Sequence, residues 1–140
     1  MKLVVDASVA LKWFFRDRVG EADTVAALDI LQGYVEQRHH LIAPPHFLAE
    51  MCAVLARESP RVAMESFANL VDLAIPMRRD AIIYARAMQL STDLGHHLFD
   101  TLYHAVALET EGAVLVTADV RYSRRAESVG QLLPLARWRP

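Results

Sequence analysis

Two short runs, Lys2-Leu3-Val4-Val5 and Ala113-Val114-Leu115-Val116-Thr117, are almost unbroken apolar sequence rich in valine. Continuous rather than alternating hydrophobicity over four or five residues predicts strands covered on both faces. Leu41–Ala43, which runs into Pro44-Pro45, and Leu132–Leu135 predict further short strands. Ala74–Met77 predicts an edge strand at most, because Pro76 has no amide to give to a ladder. Between these runs the spacing becomes helical. Across Glu21–Arg38, the residues Ala27, Leu28, Leu31, Tyr34 and Val35 share one helical face, although Gly33 within that stretch costs about 1 kcal/mol against alanine. Pro45 suits the start of the next helix, with Leu48, Met51, Cys52 and Leu55 as its apolar stripe. Helices are predicted over Arg61–Leu73 after Pro60, over Arg79–Leu94 stopped by Gly95, and over Leu98–Glu111 stopped by Gly112. Strands alternating with helices predict an α/β fold around a mainly parallel sheet.

Four carboxylates stand out against this pattern. Asp6 ends the first strand run and Asp119 follows the Ala113–Thr117 run. Glu50 is the only charge between Phe47 and Ala56, and Asp100 is the only carboxylate between Leu94 and Leu108. In open parallel sheets, ligands bind beyond the carboxyl ends of the strands, where strand order reverses. Asp6 and Asp119 occupy such ends, each just before a helix start. Glu50 and Asp100 fall in the first turn or two of their helices, where the partial positive charge of the N-terminus favours a carboxylate. Taken singly, Asp6 or Asp119 could merely cap a helix, Glu50 could lie on a solvated edge, and Asp100 could cap or pair with His96 or His104.

Taken together, the four predict one shared site. Two carboxylates about 5 Å apart repel by roughly 3 kcal/mol at an effective dielectric of about 20. Several such pairs would rival the ~5–15 kcal/mol net stability of a small domain, so the site must take up protons or bind cations. An all-oxygen donor set suits Mg2+ or Mn2+ rather than zinc. Mg2+ takes one or two protein carboxylates and leaves its other positions to water and phosphate, as a phosphodiester-cleaving enzyme requires.

The 140 residues form a single domain on this reading, because acids near both ends build one site. The 54% hydrophobic content fits a rich core or a self-association surface. A net charge of −2 gives no global electrostatic case for nucleic-acid binding, which would have to rest on local basic patches. The lone Cys52 excludes an internal disulfide, fits a reducing compartment and reads as core packing. Asp6 interrupts the apolar start too early for a signal peptide, and no apolar run has the length of a membrane span. A soluble cytoplasmic protein, not attached to a membrane, is expected.

Read in order, Val4-Val5-Asp6-Ala7-Ser8, Glu50 after Pro44-Pro45, Leu98-Phe99-Asp100-Thr101-Leu102-Tyr103 and Leu115-Val116-Thr117-Ala118-Asp119 resemble the PIN-domain family. The likeness is closest to VapC-type toxins of type II toxin–antitoxin pairs, and it covers essentially the whole chain. It implies a three-layer α/β/α fold and a Mg2+- or Mn2+-dependent endoribonuclease that hydrolyses RNA through a metal-activated water. It also implies a homodimer and inhibition by a cognate antitoxin protein. Asp6 and Asp100 look like the principal metal ligands, Glu50 and Asp119 like the remaining acids, and Ser8 and Thr117 like supporting hydroxyls. Many relatives carry Asn where Ala53 stands and Ala where Thr101 stands; the first departure removes a group that could support Glu50.

RNA needs a positive surface. Arg121, Arg124 and Arg125 follow Asp119, and Arg137, Trp138 and Arg139 nearly close the chain. Phosphate contacts with an aromatic stacking surface would suit single-stranded RNA; the alternative is a solvated arginine-rich surface. Arg121, two residues beyond an acid of the site, is the candidate RNA-binding residue. His96, Asp100 and His104 are spaced i, i+4, i+8 and would form a transition-metal site if the helix reached back that far, but Gly95 favours a start after His96. His39-His40 carry no readable signal. Trp13, Phe14 and Phe15 read as core or dimer surface. Two rivals differ in class. One is a haloacid-dehalogenase-type aspartyl phosphatase, which would want a second Asp where Ser8 stands. The other is a PIN-like module that binds protein without catalysis.

Overall fold

A computed structural model describes all 140 residues. In chain order its strands are β1 (Lys2–Val5), β2 (His40–Leu41), β3 (Ala113–Thr117) and β4 (Leu132–Pro134). Its helices are α1 (Ala7–Phe14), α2 (Thr24–Val35), α3 (Phe47–Glu58), α4 (Ala63–Asp72), α5 (Ala81–Leu94), α6 (Leu98–Leu108) and α7 (Val120–Arg125). Short 3-10 turns at Glu127–Val129 and Leu135–Arg137 flank β4. The strands pair in parallel in the order β2-β1-β3-β4, within an α/β/α arrangement.

The chain builds outward from β1 to β2, then crosses to the other side of β1 to lay down β3 and β4. The switch point therefore lies between β1 and β3, where Val5 is in register with Val116. Leu3, Val4, Val5, Leu115 and Val116 are all essentially inaccessible to solvent, which explains why these strands read as unbroken apolar runs. Pro134 is tolerated because β4 is an edge strand and the residue is its last.

Helix α6 is buried all round: the seven residues from Thr101 to Ala107 are inaccessible in succession. It packs against α5 and against both central strands. Two of its polar members are satisfied internally: the Thr101 hydroxyl donates to the Ala87 carbonyl at 2.8 Å and both ring nitrogens of His104 are engaged. A helix held this firmly fixes the position of Asp100 in its first turn.

Some sequence expectations are corrected. Ala74–Met77 forms no strand, only one parallel bridge between Met77 and Ala43. Ala74 adopts a left-handed φ of 51°, which breaks extension before Pro76 is reached. In α2 the inaccessible residues are Ala27, Ile30 and Gly33, while Val35 is exposed. Gly33 is required there: a Cβ would stand 2.2 Å from Cε1 of His39, whose buried ring bonds the Ile30 carbonyl at 2.7 Å. Cys52 is only partly buried. Trp13 belongs to the core, its indole N–H donating to the Ala27 carbonyl at 2.9 Å.

Candidate metal centre

Asp6 follows the last residue of β1 and caps α1, accepting from the Val9 amide at 3.3 Å. Asp119 stands two residues beyond β3 and caps α7, accepting from the Tyr122 amide at 3.0 Å. The capping role and a shared site are thus compatible: the cap holds each carboxylate at the carboxyl edge of the sheet.

Two hydroxyls brace these strand ends together. Ser8 donates to Oδ1 of Asp6 and accepts from the Ala118 amide at 3.0 Å. Thr117 donates to Oδ2 of Asp6 and accepts from the Asp119 amide at 3.0 Å. Each hydroxyl spends its proton on Asp6 and its lone pair on the β3 exit, so the Asp6 carboxylate is oriented by both neighbouring segments.

Burial pushes the Asp6 carboxyl up to about 6, opposed by the Ser8, Thr117 and Val9 hydrogen bonds and reinforced by the charge of Asp119. Desolvation outweighs three favourable hydrogen bonds, so the ionised form is under strain unless a cation is present.

Asp100 lies across from Asp119. One ligand atom each from His96, Asp100 and Asp119 falls within 4.8 Å of the others. His96 precedes α6 yet still reaches Asp100, with Nε2 2.8 Å from Oδ2. His104, the third member of the expected histidine spacing, faces elsewhere: its Nε2 donates to the Gly130 carbonyl at 2.8 Å and its Nδ1 accepts from the Tyr122 hydroxyl at 2.9 Å. The i, i+4, i+8 metal site is therefore not formed. Burial holds His104 below the usual imidazole range, against the Gly130 hydrogen bond.

Glu50 projects from the first turn of α3. His46 Nε2 lies 2.7 Å from the Phe99 carbonyl and also 2.7 Å from Oε1 of Glu50, but only the first contact has hydrogen-bond alignment. The Glu50 oxygen, the Tyr103 hydroxyl and Nδ1 of His46 are buried without aligned partners. Burial, then the charges of Glu50 and Asp6, hold the Tyr103 phenol well above its ordinary range. Burial, then Asp100, Asp6 and Asp119, do the same to Tyr122. The charge of Asp6 thus acts on both buried tyrosines.

The residues present fit a hard divalent cation. Carboxylate oxygens dominate the donor set, the Asp6 charge is strained by burial, and buried polar atoms around Glu50 lack the partners such atoms ordinarily have. Ala53 is exposed and offers Glu50 no hydrogen bond.

Arg121 and Arg124 are exposed on α7, immediately beyond Asp119, and with Val120 and Arg125 they line a shallow open depression. Trp138 is unavailable for stacking on a base. It is buried, its indole donates to Asp29 at 2.7 Å, and its ring packs edge-on to His39. The sequence alone assigns no role to Tyr103, Tyr122 or His46, and gives Arg125 only a place in the basic run after Asp119. The first two stand three residues after an acid, and His46 four before one, which is the only local signal they give.

The sequence matches the PIN domain family over residues 3–128. No curated protein sequence matches. Among solved structures, the fold resembles VapBC2 from Rickettsia felis bound to a DNA fragment from its promoter, with TM-score 0.64, 14% identity, and 96% of this chain and 97% of that chain covered. VapBC-1 from nontypeable Haemophilus influenzae gives 0.66, 14%, 98% and 100%. DNA-bound VapBC from Salmonella typhimurium gives 0.66, 12%, 96% and 98%. No helix is long and apolar enough to cross a membrane.

Proposed function

The chain belongs to the PIN-domain family, and on that premise we propose that it is a Mg2+- or Mn2+-dependent endoribonuclease of VapC type, the toxin of a toxin–antitoxin pair. The observation that carries this reading is the brace at the switch point. Ser8 and Thr117 tie the Asp6 carboxylate to the Ala118–Asp119 backbone, beside the cluster of Asp100 and Asp119. So much hydrogen bonding spent on orienting one strained carboxylate is hard to account for as capping alone.

Asp6 and Asp100 are the principal cation ligands on this reading, with Asp119 and Glu50 completing the acidic set. A bound divalent ion would supply charge neutralisation at the scissile phosphate and activation of the attacking water. The chain's own part is geometric: Ser8 and Thr117 hold Asp6, and the caps of α1 and α7 hold Asp6 and Asp119 at the sheet edge. Arg121 and Arg124 bind flanking RNA phosphates from α7. Water, not the RNA 2′-hydroxyl, is the nucleophile. The antitoxin partner and homodimer follow from the VapC likeness, and the whole 140-residue chain acts as one domain.

The test compares RNA cleavage by the purified protein with that by Asp6→Asn, each with Mg2+ or Mn2+ and with chelator. Cation-dependent cleavage by the wild type alone is expected. Equal cleavage by the variant, or cleavage that survives chelation, would remove the mechanism. Fragments ending in 2′,3′-cyclic phosphate would remove the water nucleophile.

A further inference from the structure

His96 is engaged at every polar atom. Its amide donates to the Ser91 carbonyl at 3.2 Å and its own carbonyl accepts from the Ser91 hydroxyl at 2.6 Å, so the turn between α5 and α6 is pinned. Its side chain is only 8% exposed, and its ring packs edge-on to Tyr122 at 4.8 Å. Nε2 is 2.8 Å from Asp100 Oδ2, and Nδ1 is 3.3 Å from an Arg125 guanidinium nitrogen that also donates to the Gly95 carbonyl at 2.9 Å.

The chemistry of Arg125 decides the tautomer. A guanidinium has donors and no acceptor, so Nδ1 of His96 must present its lone pair to Arg125. In the neutral ring the proton then sits on Nε2, aimed at Asp100. Coordination of a cation by Nε2 would require that proton to move to Nδ1, where it would face an Arg125 N–H head-on. The distances within the His96, Asp100 and Asp119 cluster would admit His96 as a ligand; its hydrogen-bond partners oppose it.

We propose that His96 is a positioning residue: the chain Arg125–His96–Asp100 fixes one carboxylate oxygen of Asp100, turns the other toward the cation, and keeps the imidazole out of the coordination shell. The proposal rests on the reading of Asp100 as a cation ligand. It has a consequence for selectivity. The site stays all-oxygen and hard, so His96 strengthens binding of Mg2+ and Mn2+ alike and adds no preference for softer ions.

Two measurements test it. Ring 15N spectra of the protein are recorded without cation and with saturating Mg2+; His96 is expected to keep its proton on Nε2 in both. Mn2+, Mg2+ and Co2+ affinities are then measured for wild type, His96→Gln, His96→Ala and Asp100→Asn. Loss of a partner that orients a ligand costs about 10–100-fold in metal affinity, so His96→Ala should weaken all three ions by that factor. His96→Gln, which keeps a side-chain N–H for Asp100, should recover most of it. Loss of the Nε2 proton on adding cation, a deficit confined to Co2+, or wild-type affinity in His96→Ala would overturn the proposal. Unchanged binding in Asp100→Asn would instead refute Asp100 as a ligand, while the tautomer is still read from the spectra.

Discussion

Asp6 concentrates the energetic cost of the site in one side chain. Its carboxyl is raised from 3.8 to about 6, chiefly by burial. A carboxyl whose pKa is higher in the fold than in the unfolded chain favours the folded state while protonated. That contribution is complete below pH 4 and is lost as the pH rises through 6. A shift of about two units corresponds to at most roughly 3 kcal/mol, and the partial exposure of Asp6 reduces it. Asp6→Asn removes the charge but also loses one of the two acceptors used by Ser8 and Thr117, so the pH dependence isolates the charge. Relative to wild type, the cation-free variant is expected to gain about 1–2 kcal/mol between pH 4 and pH 8, measured by urea unfolding at both values. A stability difference between variant and wild type that is the same at pH 4 and pH 8 would show that the charge is not strained. The brace makes a second prediction at this scale. Thr117→Val removes the proton donated to Asp6 and the acceptor used by the Asp119 amide. It should lower Mn2+ affinity by about 10-fold or more, as calorimetric titration would show.

The elements explain which parts of this arrangement were legible in advance. Strands β1 and β3 announce themselves because burial on both faces demands unbroken apolar sequence, and the acids that end them inherit that clarity. Ala74–Met77 carries a similar apolar signal, yet Ala74 turns left-handed and only Met77 pairs; sequence does not encode that backbone reversal. The burial of α2 depends on a partner far along the chain. Gly33 reads as a helix defect, but the ring of His39 occupies the space a side chain would take, and Trp138 packs behind that ring. The same long-range contact removed Trp138 from the candidate RNA surface. Gly33→Ala should therefore destabilise the protein by about 1–3 kcal/mol through overpacking, despite a gain of about 1 kcal/mol in helix propensity. Thermal unfolding of Gly33→Ala, His39→Ala and the double variant would show it, with the double variant less affected than the sum of the two. Additive losses would mean that the ring and the glycine are not coupled.

At the scale of the whole molecule, the topology gathers acids that lie more than a hundred residues apart. Crossing from β2 back over β1 to β3 puts Asp6 and Asp119 at adjacent strand ends, while α6, buried all round, delivers Asp100 beside Asp119. What the sequence could not supply was the supporting layer: Tyr103, Tyr122 and the Arg125–His96 contact depend on packing between helices rather than on local spacing. If the gathered charge is relieved by a cation, Mg2+ should raise the melting temperature of the wild type in a concentration-dependent way and leave Asp6→Asn nearly unmoved. The most direct test of the central claim is anomalous scattering from crystals soaked in Mn2+. The account predicts a peak in direct coordination reach of the Asp6 and Asp100 carboxylates at the β1–β3 switch point. A saturating soak that gives no peak there, or only peaks on unrelated surfaces, would contradict it.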